Sequence, residues 1–323
     1  MAYPILVVAE HLKGALSEIT FEMLGLGRRL AESTGSSLWA AVLGSEGVPL
    51  AAQLGTADAV LLLDDPQLNL PAAGTVARVL SGLIEQKKVG LTLLGGTNLS
   101  MGVGSILSAQ SNLPFVNFCR NARIEKDGVV ATSQLFGGKI FTDVTLPGGR
   151  GILSIYPGSF PAEAGKSSKV PPVERVTVPF PPSTTVFTKF IEPETGDVDI
   201  TKQSVLVAIG RGIQTQDNLA MAEELAQRLG GAVCASRPVI DQGWLPLSRQ
   251  VGKSGMTVKP RLYLAFGISG APEHWEGMQS SQVIIAVNTD AKAPIFDGAH
   301  YGVCADALDV MPALAEKVRL HKG

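Results

Sequence analysis

The stretch "RLYLAFGISGAPEH" (residues 261–274) decides how this chain is read. Its first part, "LYLAF", is apolar without alternation, the pattern of a strand buried on both faces in a parallel sheet covered by helices. Gly267, Ser269, Gly270 and Pro272 then crowd small residues into the place where a strand gives way to a helix. At such a turn backbone N–H groups can approach a phosphate.

Working outward, the same unit recurs. "SVLVAIG" (204–210), "AVCAS" (232–236) and "QVIIAVNTD" (282–290) are further buried strands. A helix from about 218 can be capped by Asp217 or Asn218 and ended by Gly230–Gly231, and a last helix spans about 307–320. The N-terminal half repeats the alternation, with strands at 5–10, 37–44, 57–64 and 91–96 and helices near 17–33, 71–86 and 101–112. Residues 115–156 are more β-like, with Asp127–Gly128 as a hairpin signal, and predict an antiparallel appendage. The proline-rich stretch 161–187 is unsuited to a central strand and should cross the surface. "IEPETGDVDI" (191–200), acidic and aperiodic, reads as a linker. The expected fold is α/β: two tandem open, mostly parallel-sheet (Rossmann-like) domains, 1–190 and 201–323, the first with the antiparallel β appendage.

Composition agrees with two cores, since 323 residues exceed what one hydrophobic core usually serves. The net charge of −2 leaves no basic stripe for nucleic acid, and 6% aromatic residues give no stacking platform. No apolar run reaches the roughly 18 residues of a membrane span, so no membrane insertion is expected. "MAYPILVVAEH" enters a strand at once, with no room for a leader, and a cytoplasmic location is expected. Cys119, Cys234 and Cys304 read as buried thiols, and the four dispersed histidines offer no metal spacing.

Four predicted loops begin where an apolar strand ends: "GRG" (210–212), "SR" (236–237), "GISGAPEH" (267–274) and "NTD" (288–290). In an open parallel sheet these tips share one edge, where ligands bind. They bring Arg211, Arg237, Ser236, Ser269, His274 and Asn288 together, with Ser254 nearby. This donor-rich, cationic set suits a dinucleotide better than a neutral metabolite. There is no nucleophile–base–acid series, and "GRGIQT" puts Thr215 where a third fingerprint glycine would stand. At this level a nicotinamide-dependent oxidoreductase and a nucleotide-binding regulatory module both remain possible readings.

The ordered series "IGRG", "CASRPVIDQGWLP", "SRQVGKSG", "LYLAFGISGAPEH", "IIAVNTD", "API" and "YGVCAD" resembles the FAD domain of the electron transfer flavoprotein alpha subunit. "ILVVAEH", "LLGGTN" and "FGGKIFTDV" resemble that family's N-terminal domain, so the resemblance spans nearly the whole chain. It implies FAD in the second domain. Arg211 and Ser236 would contact the cofactor's polar spine and Arg237 would lie over the isoalloxazine. Val251, Gly252, Lys253 and Ser254 would border the ring, Ser254 towards N5, with Gln250 and Gly267 flanking. Ser269, Gly270, Ala271, Pro272, Glu273 and His274 would carry phosphate and ring contacts, His274 on the C2 carbonyl side. Asn288 and Asp306, followed by Ala307, would hold the adenosine end. Positive charge or donors at Arg237 and His274 would raise the first reduction potential.

The resemblance further implies an electron carrier rather than a self-contained enzyme, or one part of a bifurcating flavoprotein complex. Its partners would be an electron transfer flavoprotein beta subunit carrying AMP or a second FAD, a flavin dehydrogenase as donor, and a quinone reductase or other redox acceptor. The first domain would be the partner platform. Lys253 stands where the family usually has glutamine, Pro272–Glu273 where it has isoleucine–glutamine, and Tyr156 where an arginine is common. Pro272 removes a backbone donor, and Glu273 is compatible with nearby phosphates only if it points away or pairs with Lys253.

Overall fold

The computed structural model describes residues 3–180, 185, 187–190 and 197–322, so residues 191–196 of the expected linker lie outside the described residues. The chain forms two compact units, Met1–Lys189 and Phe190–Gly323.

The first unit contains β1 (Ile5–Val8), a short ladder of β2 (His11–Leu12) and β3 (Ala15–Leu16), α1 (Glu18–Thr34), β4 (Leu38–Leu43) and β5 (Ala59–Leu63). It continues with α2 (Ala73–Lys87), β6 (Leu91–Gly95), α3 (Val103–Ser111), β7 (Phe115–Glu125), β8 (Gly128–Leu135), β9 (Ile140–Pro147), β10 (Gly151–Ile155) and β11 (Val173–Arg175). Its nine-stranded sheet has the order β11-β5-β4-β1-β6-β10-β7-β8-β9. The strands from β11 to β7 pair in parallel, and β7, β8 and β9 form the antiparallel appendage. The hairpin is present, but its turn is Lys126–Asp127, one residue earlier than the Asp127–Gly128 signal, because Gly128 opens β8 opposite Glu125. Among the described residues of the proline-rich stretch there is a short 3-10 turn at Ala162–Gly165 and one strand, β11, three residues long and exposed at the sheet edge, a position where a run short of N–H donors is tolerated.

The second unit holds β12 (Val205–Ile209), α4 (Leu219–Leu229), β13 (Ala232–Ala235), α5 (Arg237–Asp241) and β14 (Leu262–Phe266). It ends with α6 (Pro272–Met278), β15 (Val283–Asn288), α7 (Ile295–Gly298), β16 (Tyr301–Cys304) and α8 (Ala307–Lys322). The sheet is wholly parallel, in the order β13-β12-β14-β15-β16.

The unbroken apolar runs are explained by burial on both faces. In β1, Ile5 and Val7 enter one core while Leu6 and Val8 enter the other. In β12, Val207 and Ile209 face one core and Leu206 and Ala208 the opposite one. Each large aliphatic side chain so buried stabilises the fold by about 1.5–3 kcal/mol.

Several local expectations need correction. Cys119 and Cys234 are buried, with thiols pushed up to about 12 by burial, but Cys304 is exposed because β16 is an edge strand. Asn218 occupies the N-cap position of α4 without capping through its side chain; its amide donates to the Ile213 carbonyl at 2.7 Å instead. Gly230 does end the helix, at φ +70°. The short α5, α6, α7 and β16 were not legible as elements, since each is under eight residues and lacks a full period.

Candidate functional site

In the second unit the chain runs from β12 to β13 on one side, then crosses to β14 on the other. Such a reversal opens a crevice beyond the carboxyl ends of the two inner strands, here β12 and β14. The tips there are backbone packed on backbone. Gly210 N donates to Phe266 O at 2.9 Å and Gly212 N to Gly267 O at 3.2 Å. A Cβ on Gly212 would stand 2.5 Å from the Gly267 Cα, so only glycine lets these two tips meet.

Two further segments join this edge. The Gln250–Ser254 loop is held to the end of β13 by Val251 N donating to Ala235 O at 2.9 Å. It is held to α6 by Lys253 N donating to Glu273 O at 2.7 Å, and the Gln250 amide reaches the Ser254 hydroxyl at 2.9 Å. A Cβ on Gly252 would approach the Glu273 carbonyl to 2.8 Å. The glycine turn after β14 is seated on α7: Ile295 N donates to Ser269 O at 2.9 Å, and a Cβ on Gly270, at φ +84°, would collide with the Ile295 backbone nitrogen.

Arg211, Arg237, Lys253, Ser254, Ser269, Ala271, Pro272 and Glu273 are exposed along this edge, whereas Ser236, Gln250, Val251, Gly252, Gly270 and His274 are buried. The Arg237 guanidinium is 68% exposed and lies 3.4 Å from Asp241, four residues on along α5. An exposed pair of this kind is worth under about 1 kcal/mol, so the guanidinium is free to change partner. Lys253 lies 3.8 Å from Glu276 rather than pairing with Glu273, which stays exposed. Asn288 spends its side chain on the fold, donating to Ile268 O and accepting from Asp290 N, both at 2.9 Å. Asp306 accepts from Leu308 N at 2.9 Å at the start of α8, leaving its second oxygen for another partner.

His274 differs most from expectation. Its Nε2 is 2.9 Å from the hydroxyl of Tyr263, which is fully buried, and its Nδ1 is buried with no hydrogen-bond partner. Burial pulls the imidazole down to about 4. The ring is therefore neutral at pH 7 and can act through its dipole, not as the fixed positive charge the sequence allowed. Tyr263 was missed as its partner, since within "LYLAF" it reads as one more strand residue.

At the corresponding edge of the first unit, "EHLKG" and "GGTNLSMG" meet. The Thr97 hydroxyl lies 2.8 Å from both oxygens of Glu10, the Ser100 hydroxyl also donates to that carboxylate, and burial raises its pKa. A carboxylate belonging to the chain itself thus occupies this edge. His11 points Nε2 at the Leu43 carbonyl, 2.8 Å away.

Among the described residues no group of three or more His, Cys, Asp or Glu is arranged to hold a metal. No described helix is long and apolar enough to cross a membrane. Two exposed guanidiniums, an ammonium, hydroxyls and neutral donors at a topological switch point fit the two ends of FAD: an anionic pyrophosphate and a ring that gains negative charge on reduction.

Fold and crevice thus define a tandem α/β protein with a dinucleotide site in its second unit. Residues 5–181 match the model of the electron transfer flavoprotein domain, and residues 199–279 match that of the electron transfer flavoprotein FAD-binding domain. The chain belongs to the electron transfer flavoprotein family, as an alpha-subunit member with FAD as its cofactor. It is 35% identical to "Protein FixB" of Clostridium saccharobutylicum, across 97% of this chain and 95% of that one. It is 33% identical to "Electron transfer flavoprotein subunit alpha" of Megasphaera elsdenii, across 99% and 97%. It is 32% identical to "Lactate dehydrogenase (NAD(+),ferredoxin) subunit LctC" of Acetobacterium woodii, across 96% of this chain and 75% of that one.

Proposed function

We propose that this chain works in the cytoplasm as the FAD-bearing half of a heterodimer with an electron transfer flavoprotein beta subunit, which carries AMP or a second FAD. It takes electrons from a flavin dehydrogenase and passes them singly to a quinone reductase or another redox acceptor. The observation that carries this reading is the donor-lined crevice between the tips of β12 and β14. When bound there, FAD supplies the one-electron chemistry through its isoalloxazine.

Each residue then has a distinct task. Arg211 and Ser236 bind the polar spine of the cofactor, and Ser269 with the backbone through Gly270 and Ala271 takes the pyrophosphate. Arg237 leaves Asp241 to lie over the ring. Lys253 and Ser254 border it, the Ser254 hydroxyl towards N5, and His274 offers a neutral dipole on the C2 carbonyl side. Asn288 and Asp306 hold the adenosine end with the hydrogen-bonding capacity they have left. Pro272 and the exposed Glu273 flank the phosphate turn, where Glu273 can remain in solvent.

The test is to purify the full chain with its partner subunit and count flavins per heterodimer. One FAD supports a simple relay, and two support a bifurcating complex like that in which a ferredoxin-dependent relative is named. A colourless complex holding only a nicotinamide or an adenine nucleotide would overturn the reading. Arg237→Ala is expected to leave FAD bound while lowering the first one-electron potential by about 60 mV, a tenfold change in that equilibrium. Spectroelectrochemical titration checks this, and an unchanged potential would remove Arg237 from the ring.

A further inference from the structure

Arg249 lies immediately before the Gln250–Ser254 loop and is tied to two other segments. Its Nε and Nη2 reach Oδ1 of Asp197 at 2.6 and 2.5 Å, and its Nη1 donates to the Val233 carbonyl in β13 at 2.8 Å. The Ser248 hydroxyl also donates to the Asp197 carboxylate. The two charged side chains are only 17% and 18% exposed, and Arg249 holds the Asp197 carboxyl down to about 2. Asp197 is itself fixed, because Ile200, three residues on, is 1% exposed within the core of the second unit.

The loop that follows is anchored at its start, where Gln250 and Val251 are buried and Val251 N donates to Ala235 O. Gly252 and Gly255 give it conformational freedom, and Lys253 and Ser254 face solvent. The placement of Lys253 and Ser254 therefore depends on how the anchored residues before them are held. With Nε and Nη2 converging on one Asp197 oxygen and Nη1 held by the Val233 carbonyl, the largely buried guanidinium is fixed in direction as well as distance, unlike a flexible surface pair.

We infer that Asp197 and Arg249 are a positioning pair: they clamp the segment entering the second unit to the loop Gln250–Ser254, and so set where Ser254 and Lys253 stand against the flavin ring. This rests on the reading that the loop borders the ring. The pair acts through the peptide that follows it.

The experiment uses the full chain with its partner subunit, loaded with FAD. Wild type is measured first; if it holds no FAD, the proposed function fails before the clamp is examined. With FAD bound, Asp197→Ala and Arg249→Met are each expected to raise the FAD dissociation constant about tenfold and to shift the flavin visible band and the first potential. The double variant should lose clearly less than the sum of the two single ones, since both break the shared Asp197–Arg249 contact. Arg249→Lys, which keeps the charge without the fork, should restore affinity only in part. Asp197→Asn serves as the gentler variant should Asp197→Ala not fold. A lower melting temperature with unchanged dissociation constant, spectrum and potential would overturn the inference by making the pair merely structural. Additive losses in the double variant would also overturn it.

Discussion

Gly270→Val is expected to yield protein that retains no FAD and whose second unit is weakened by at least about 3 kcal/mol. Two independent costs combine at this position. Its φ of +84° is a left-handed conformation that a β-branched residue adopts only under strain. Any Cβ would also collide with the Ile295 backbone nitrogen, whose N–H is held by Ser269 O at 2.9 Å. Relief requires the turn to leave α7, carrying Ser269 and Ala271 with it. Flavin absorbance after desalting and the urea midpoint of the full chain check the two effects. Retention of full yellow colour with an unchanged midpoint would show that the turn tolerates displacement and is not the phosphate cradle.

Acidification from pH 7 to pH 5 is expected to cost the fold about 2 kcal/mol through His274 alone. In the folded chain this imidazole sits at about 4, depressed by burial, against an ordinary value of 6.5. The unfolded chain therefore binds the proton first. The stability due to the neutral ring is fully present above pH 6.5, falls as pH drops below it, and is lost down to about pH 4. His274→Gln preserves a side chain able to meet the Tyr263 hydroxyl and removes the titration. Urea midpoints of wild type and variant at the two pH values separate this group from other acid effects. Equal pH dependence in both would show that the ring titrates normally.

In the proposed site, depression of His274 and exposure of Arg237 would divide the electrostatic work at the crevice. A guanidinium keeps its charge at any working pH, whereas a neutral imidazole orients a dipole without placing a buried cation near the exposed Lys253. The Glu10 cluster shows the opposite arrangement, with an internal carboxylate filling the equivalent edge of the first unit.

The sequence by itself determined the alternation of buried strands and helices, the antiparallel appendage and the loops that share the carboxyl edge of the second sheet. It could do so because a strand buried on both faces must be apolar at every position, and helices must be periodic. The glycine tips were equally legible, though the reason for Gly270 was not: its neighbour is the Ile295 backbone, 25 residues further along the chain. Only the tertiary structure decided that His274 is neutral and bound to Tyr263, that Lys253 lies by Glu276, and that Asp197 grips Arg249 across 52 residues. Burial and ion pairing depend on which side chains the fold brings within a few ångströms, and that proximity leaves no periodic trace along the chain.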